Sequence, residues 1–207
     1  MLEITKTSLK KSYERVKQKS FFDMDYNFML VLSSIICFWG FKINSPSVII
    51  GAMVISPMLY SVIGIASSLF FVDMKQFVKE IISLILEIIV VVMVVSIFGN
   101  IFSIEANTEI TTKLYTKPID YFFIALFSGI AGCFAIYWPK IEEVLVGIAI
   151  SVALIPPIVL LGIGIAQLDI EVITYSSVIV LINIIGIVSG SLLLLFFLKI
   201  FQNRVKK

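Results

Sequence analysis

The chain has no histidine, two arginines and two cysteines among its 207 residues. Without histidine, the commonest general base and the commonest metal ligand are both missing, and Ser-His and Cys-His nucleophiles are excluded. With arginine only at Arg15 and Arg204, an arginine-rich voltage-sensing helix and a guanidinium clamp on an anion are excluded as well. Cys37 and Cys133 each lie inside an apolar block, where they read as small buried hydrophobes rather than a disulfide or a metal site. No cofactor and no nucleic-acid partner is expected. Charge is scarce too: charged residues make up 14% of the chain against 59% hydrophobic ones. Soluble domains sit nearer half apolar and about a quarter charged.

What is present is a series of apolar blocks, at 26–43, 47–70, 77–103, 121–138, 143–167 and 172–201. Each is about long enough, at ~1.5 Å per residue, to cross a hydrocarbon core of roughly 30 Å. The expected fold class is therefore an all-α integral membrane bundle of six transmembrane helices over 26–201, with the lipid bilayer as its first partner. The links are short except for 104–120, and no room is left for a separate soluble domain. Residues 1–25 are polar, with Leu9, Tyr13 and Val16 at helical spacing. They read either as an interfacial amphipathic helix or as a solvated basic tail, and 202–207 read as a second basic tail. No cleavable signal is expected, because no apolar stretch directly follows a short basic start.

Orientation follows from lysine and arginine. With the N-terminus inside, thirteen of the sixteen basic residues fall on the cytoplasmic side, and Lys42, Lys113 and Lys117 on the outside. Both termini are expected in the cytoplasm.

The two halves also resemble each other. Cys37-Phe38 and Val48-Ile49-Ile50-Gly51 recur 96 positions on as Cys133-Phe134 and Val144-Leu145-Val146-Gly147. Pro57 and Gly64-Ile65-Ala66 recur 100 positions on, at Pro157 and Gly164-Ile165-Ala166. Asp73 and Glu87 return to a displacement of 96, at Asp169 and Asn183. A unit of three crossings must be inserted the opposite way up the second time, so the expectation is two inverted three-helix repeats with proline-broken second and fifth helices.

The candidate substrate or ion site comprises Met53, Ser56, Pro57, Glu87, Ala153, Pro156, Pro157 and Asn183. A proline inside a helix lacks a donor and frees the carbonyl four residues earlier, which for these prolines belongs to Met53, Val152 and Ala153. In hydrocarbon such a carbonyl must be satisfied by protein or water. One kink would be ordinary; two at matching places point to half-helix ends facing a shared mid-membrane site. Glu87 is an ionisable group inside an apolar helix, which makes it either a functional group or a structural hydrogen-bonder, with Asn183 a partner in the second case. Asn44-Ser45-Pro46 reads as a helix cap, with Ser45 capping and Pro46 in the first turn. Gly186…Gly190 and Ser128…Gly132 have the small-xxx-small spacing of close helix packing, within or between subunits.

The stretch from Asn44 to Pro57 (NSPSVIIGAMVISP) and the stretch from Val146 to Pro157 (VGIAISVALIPP), followed by Gly162-Ile163-Gly164, resemble two signatures of a prokaryotic membrane family called domain of unknown function 389. The resemblance spans roughly 25–200. It implies a helical bundle in a prokaryotic cytoplasmic (inner) membrane and carries over no activity or substrate. Many members have an added soluble domain before the bundle; here only a short basic segment precedes it.

Three functions compete. The first is a transporter or channel for a small solute or ion, with its site between the two proline breaks. The second is a non-catalytic membrane scaffold or assembly protein. The third, a membrane enzyme, fares worst: Glu87 reads as the only carboxylate at depth, so no acid pair is expected. A homo-oligomer is expected because six helices bury few of their own faces.

Overall fold

The computed structural model describes residues 6–19, 24–102, 104, 118–137 and 154–205. Among these residues the structure is all-helical, with eight helices. They are α1 (Lys6–Lys19), α2 (Met24–Lys42), α3 (Pro46–Ile55), α4 (Leu59–Phe70), α5 (Met74–Phe102), α6 (Pro118–Tyr137), α7 (Ile155–Gln167) and α8 (Ile170–Val205).

Four helices, α2, α5, α6 and α8, are long and apolar enough to cross a membrane. The pair α3–α4 makes a fifth candidate, bent by 51° across residues 56–58. The fifth expected crossing in chain order, 143–167, is described only from Leu154, as the thirteen-residue α7. The polar link at 104–120 falls almost wholly outside the described residues.

The reason these helices belong in lipid is visible on α5. Its Val78, Ile82, Ile85, Leu86, Ile89, Met93, Ile97 and Ile101 are exposed along one stripe. The opposite stripe, Glu80, Ser83, Leu84, Glu87, Val91, Val95 and Gly99, is buried. An apolar face left uncovered by protein needs an apolar solvent. Exposed Phe123, Phe127, Leu181, Phe196 and Phe197 extend the same surface over α6 and α8.

Small residues set the closest helix contacts. A Cβ at Gly186 would lie 2.6 Å from that of Ala125, and one at Gly190 would run into the Leu126 carbonyl. Ser191 Oγ donates to the Gly129 carbonyl at 3.1 Å across the same seam. Gly186 and Gly190 therefore join α8 to α6 within one chain. On α6 the contact falls to Gly129, one position from the Ser128 of the sequence reading, while Gly132 faces Leu59 and Ile63 of α4.

The helix bounds repeat at one displacement. Adding 96 to α2 (24–42), to α4 (59–70) and to the start of α5 (74) gives 120–138, 155–166 and 170. The bounds of α6 and α7 are 118–137 and 155–167, and α8 starts at 170. The turns agree in detail. Val72 and Leu168 both have φ 57°, Asp73 and Asp169 donate backbone N–H to the Ser68 and Gly164 carbonyls at 2.9 Å, and both aspartates then cap the following helix. The step to a displacement of 100, which the sequence alignment needed to match Pro57 with Pro157, has no counterpart in these bounds; at 96, Pro57 corresponds to Ala153. Packing follows the same exchange: α4 lies on α8 and α7 on α5, while α2 lies on α5 and α6 on α8.

Helix α1 closes one end of the bundle against α4 and α6. Leu9, Ser12, Tyr13 and Val16 are buried, the Tyr13 ring stacks on Phe71 at 4.6 Å, and Ser12 Oγ donates to the Tyr137 carbonyl. At the opposite end, Lys42 Nζ donates to the Phe102 carbonyl at 2.6 Å, which sets the ends of α2 and α5 level.

Candidate functional site

The chain breaks where proline requires it. Helix α3 stops at Ile55, and Ser56 is extended (φ −68°, ψ 129°), the conformation that a following proline favours. Ser56 N–H still donates to the Ala52 carbonyl at 3.2 Å, and the Pro57 carbonyl accepts from Tyr60 N–H. Pro57 has no N–H for Met53, and the 51° bend follows. Met53, Ser56 and Pro57 are all half-buried here.

Pro156 and Pro157 are buried in the first turn of α7, a position that tolerates the missing N–H of proline. Ala153 and the residues before it, with the expected break in the fifth helix, lie outside the described residues. The expected cap is met in part. Asn44 takes the left-handed conformation (φ 53°) that closes α2, and Pro46 opens α3. Ser45 has the backbone of an N-cap, but its hydroxyl makes no capping bond, contrary to expectation.

Glu87 is fully buried. Its Oε1 accepts from Ser61 Oγ at 2.5 Å and from Ser83 Oγ at 3.0 Å. Ser61 Oγ lies 3.0 Å from Tyr26 OH. A hydroxyl has one hydrogen to give, so Ser61, donating to Glu87, accepts from Tyr26. The result is a directed chain, Tyr26 to Ser61 to Glu87, joined from below by Ser83. Glu87 Oε2 is buried and has no hydrogen-bond partner.

Tyr26 is in the first turn of α2, and the chain of hydroxyls brings that turn level with Glu87, near the middle of α5. Ser61 is one turn past Pro57, which brings Glu87 close to the break. One point of the sequence reading changes. Glu87 is not the sole buried carboxylate: Glu80 is 1% exposed. Its Oε1 accepts from Gln76 Nε2 at 2.6 Å, and its carboxyl group rests against Gly64, where a Cβ would come within 2.7 Å of Cδ. Glu80 directly follows Lys79, and no expectation from the sequence rested on it. The signal was available in helical spacing: Gln76, Glu80, Ser83 and Glu87 share one face of α5. Asn183 is buried on α8, and the bonds shown at Glu87 come from Ser61 and Ser83.

Among the described residues, no group of three or more His, Cys, Asp or Glu side chains is arranged to hold a metal ion. A family model described as domain of unknown function (DUF389) matches residues 53–189, a span that takes in the α3–α4 break, the buried carboxylates and the proline pair of α7. No curated protein and no solved structure matches the chain.

Proposed function

This chain belongs to the family called domain of unknown function 389, and from that premise we propose that it is a transporter or channel for a small solute or ion. The observation that carries the reading is the broken span. Helices α3 and α4 are bent by 51° at Ser56–Met58, and one turn further on Ser61 holds a buried carboxyl group. Interrupted helices and intramembrane carboxyls cost free energy and are found where a solute or ion is handled.

The proposal includes six crossings arranged as two inverted repeats. The single displacement of 96, the matched Asp73 and Asp169 turns and the exchanged packing partners support it. It also includes both termini on the cytoplasmic side of a prokaryotic inner membrane. In support, Lys17, joined to Asp73, and Lys199, over the Phe70 ring, stand at the α1 end of the bundle, whereas at the other end Lys42 meets Trp39 and Phe102. The scaffold alternative loses one of its supports, since Gly186 and Gly190 are occupied by α6 of the same chain. We read the protein as having no catalytic role of its own. A homo-oligomer would cover part of the exposed apolar surface of α5, α6 and α8.

The test is flux in liposomes carrying a pH-sensitive dye, driven by sodium, potassium and proton gradients in turn. Wild-type protein should carry at least one of these ions, and Glu87→Gln should change the rate or its pH dependence. Vesicles that stay tight to all three ions, and to amino acids and sugars added as solutes, would overturn the transport reading in favour of a scaffold.

A further inference from the structure

The buried stripe of α5 changes character along its length. From Val91 to Gly99 its buried residues are apolar; from Glu80 to Glu87 they are polar apart from Leu84. Glu80 and Glu87 stand two turns apart on this polar part, with Ser83 between them. We propose that Glu80 and Glu87 form a two-carboxyl proton relay that takes protons from the α1 end of the bundle and holds one on Glu87 beside the Pro57 break. This deepens the transport reading by naming its coupling ion, and it rests on that reading only for the use made of the proton.

Three observations carry it. Glu87 Oε2 is a buried oxygen without a partner, while Oε1 already accepts two hydrogen bonds. A carboxylate there would be an uncompensated charge, whereas a neutral carboxyl group accepts both serine bonds at its carbonyl oxygen and carries hydrogen on the other. No ion pair reaches Glu87 among the described residues. The second observation is the way in. Glu80 accepts from the Gln76 side chain at 2.6 Å, Gln76 N–H is bonded to Asp73, and Asp73 accepts from the Tyr13 hydroxyl at 3.1 Å. The third is the spacing: the Ser83 hydroxyl, already donating to Glu87, sits one turn from Glu80 on the same face.

The relay balances. The pair shares one proton; transfer leaves Glu80 ionised and Glu87 neutral, and return reverses it, with net charge unchanged. Among the described residues, Tyr26 of α2 is joined to Glu87 through Ser61, and Tyr13 and Lys17 of α1 meet Asp73 at the start of α5. Helices α4 and α7 contain no charged residue, only Tyr60 on α4.

The test is infrared spectroscopy of the full-length protein in lipid vesicles, following the carbonyl stretch of a protonated carboxyl group. The band should vanish in Glu87→Gln. After transfer to deuterium oxide, its isotope shift should develop more slowly in Glu80→Gln, by roughly tenfold or more. Glu80→Asp should restore the rate. Ser83→Ala should slow it independently, which keeps the proposal testable if Glu80→Gln does not fold. An absent Glu87 band, or an exchange rate unchanged in both variants, would overturn the relay. Loss of the band on adding sodium at constant pH would replace the proton with a metal cation. Because no flux is measured, a failed relay leaves the transport reading standing, and tight vesicles with an intact relay overturn that reading alone.

Discussion

Lys17 on α1 donates to Oδ2 of Asp73 at 3.2 Å, the same oxygen that accepts from Tyr13 at 3.1 Å, while Oδ1 of Asp73 caps α5. One side chain thus starts a membrane helix and holds the helix that closes the bundle. Asp73→Asn should loosen α1, seen as increased mobility of a spin label at Lys10→Cys, with the bundle still folded. An unchanged spectrum would mean that the burial of Leu9, Tyr13 and Val16 holds α1 without Asp73.

The pH dependence of this contact has a defined sign. Asp73 is held below the ordinary carboxylate range, first by the Gln76 N–H and then by Lys17. Its contribution is complete above the unfolded value near ~4 and is lost only as pH falls through the lower folded value. Tyr13 is pushed up, first by burial and then by Asp73, so its contribution is complete below about 10 and is lost as pH rises through the higher folded value. The spin label should report docked α1 across about pH 5 to 9, with release confined to stronger acid or alkali. Release near pH 6 would contradict this assignment.

Topology can be tested with single cysteines in a chain lacking Cys37 and Cys133. Asn44→Cys should react with an impermeant reagent only from outside the cell, and Val72→Cys only from the cytoplasmic side. Labelling of both from one face would overturn the alternation of α2, α3–α4 and α5.

The glycines make a paired prediction. Gly190→Ala should destabilise the protein by about 1–3 kcal/mol, because its Cβ meets the backbone of α6 rather than a movable side chain. Gly51→Ala meets nothing within 4 Å and should be neutral, or stabilising by about 0.5–1 kcal/mol through helix propensity. Melting temperatures in one detergent give both numbers.

Ser61→Ala removes the shortest donor to Glu87 and the Ser61 oxygen on which Tyr26 rests, so it should cost about 1–3 kcal/mol. Ser33→Ala removes a hydroxyl bonded only to its own helix, at the Leu30 carbonyl, and should cost less. Equal melting temperatures for the two variants would show that the Tyr26–Ser61–Glu87 chain adds nothing to stability.

The membrane class, the helix bounds and the break at Pro57 were legible in the linear order, because each rests on a local cause. A run of apolar residues reports its solvent, and a proline removes its own N–H wherever the chain goes. Ser45 shows the limit of such reading, since a capping residue can hold the right backbone while its hydroxyl makes no capping bond.

The contacts between elements belonged to the tertiary structure. Glu80 is buried beside Gly64, sixteen residues earlier, which leaves room for its carboxyl group. Glu87 finds Ser61 and, through it, Tyr26 because α2 and α4 pack on the same face of α5. The sequence by itself determined which segments are apolar enough to enter lipid and where the second span gives way, since transfer to hydrocarbon and the chemistry of proline act residue by residue. Which buried carboxyl group meets which hydroxyl was decided only when helices packed, because a polar side chain in a membrane is satisfied by a partner that another helix supplies.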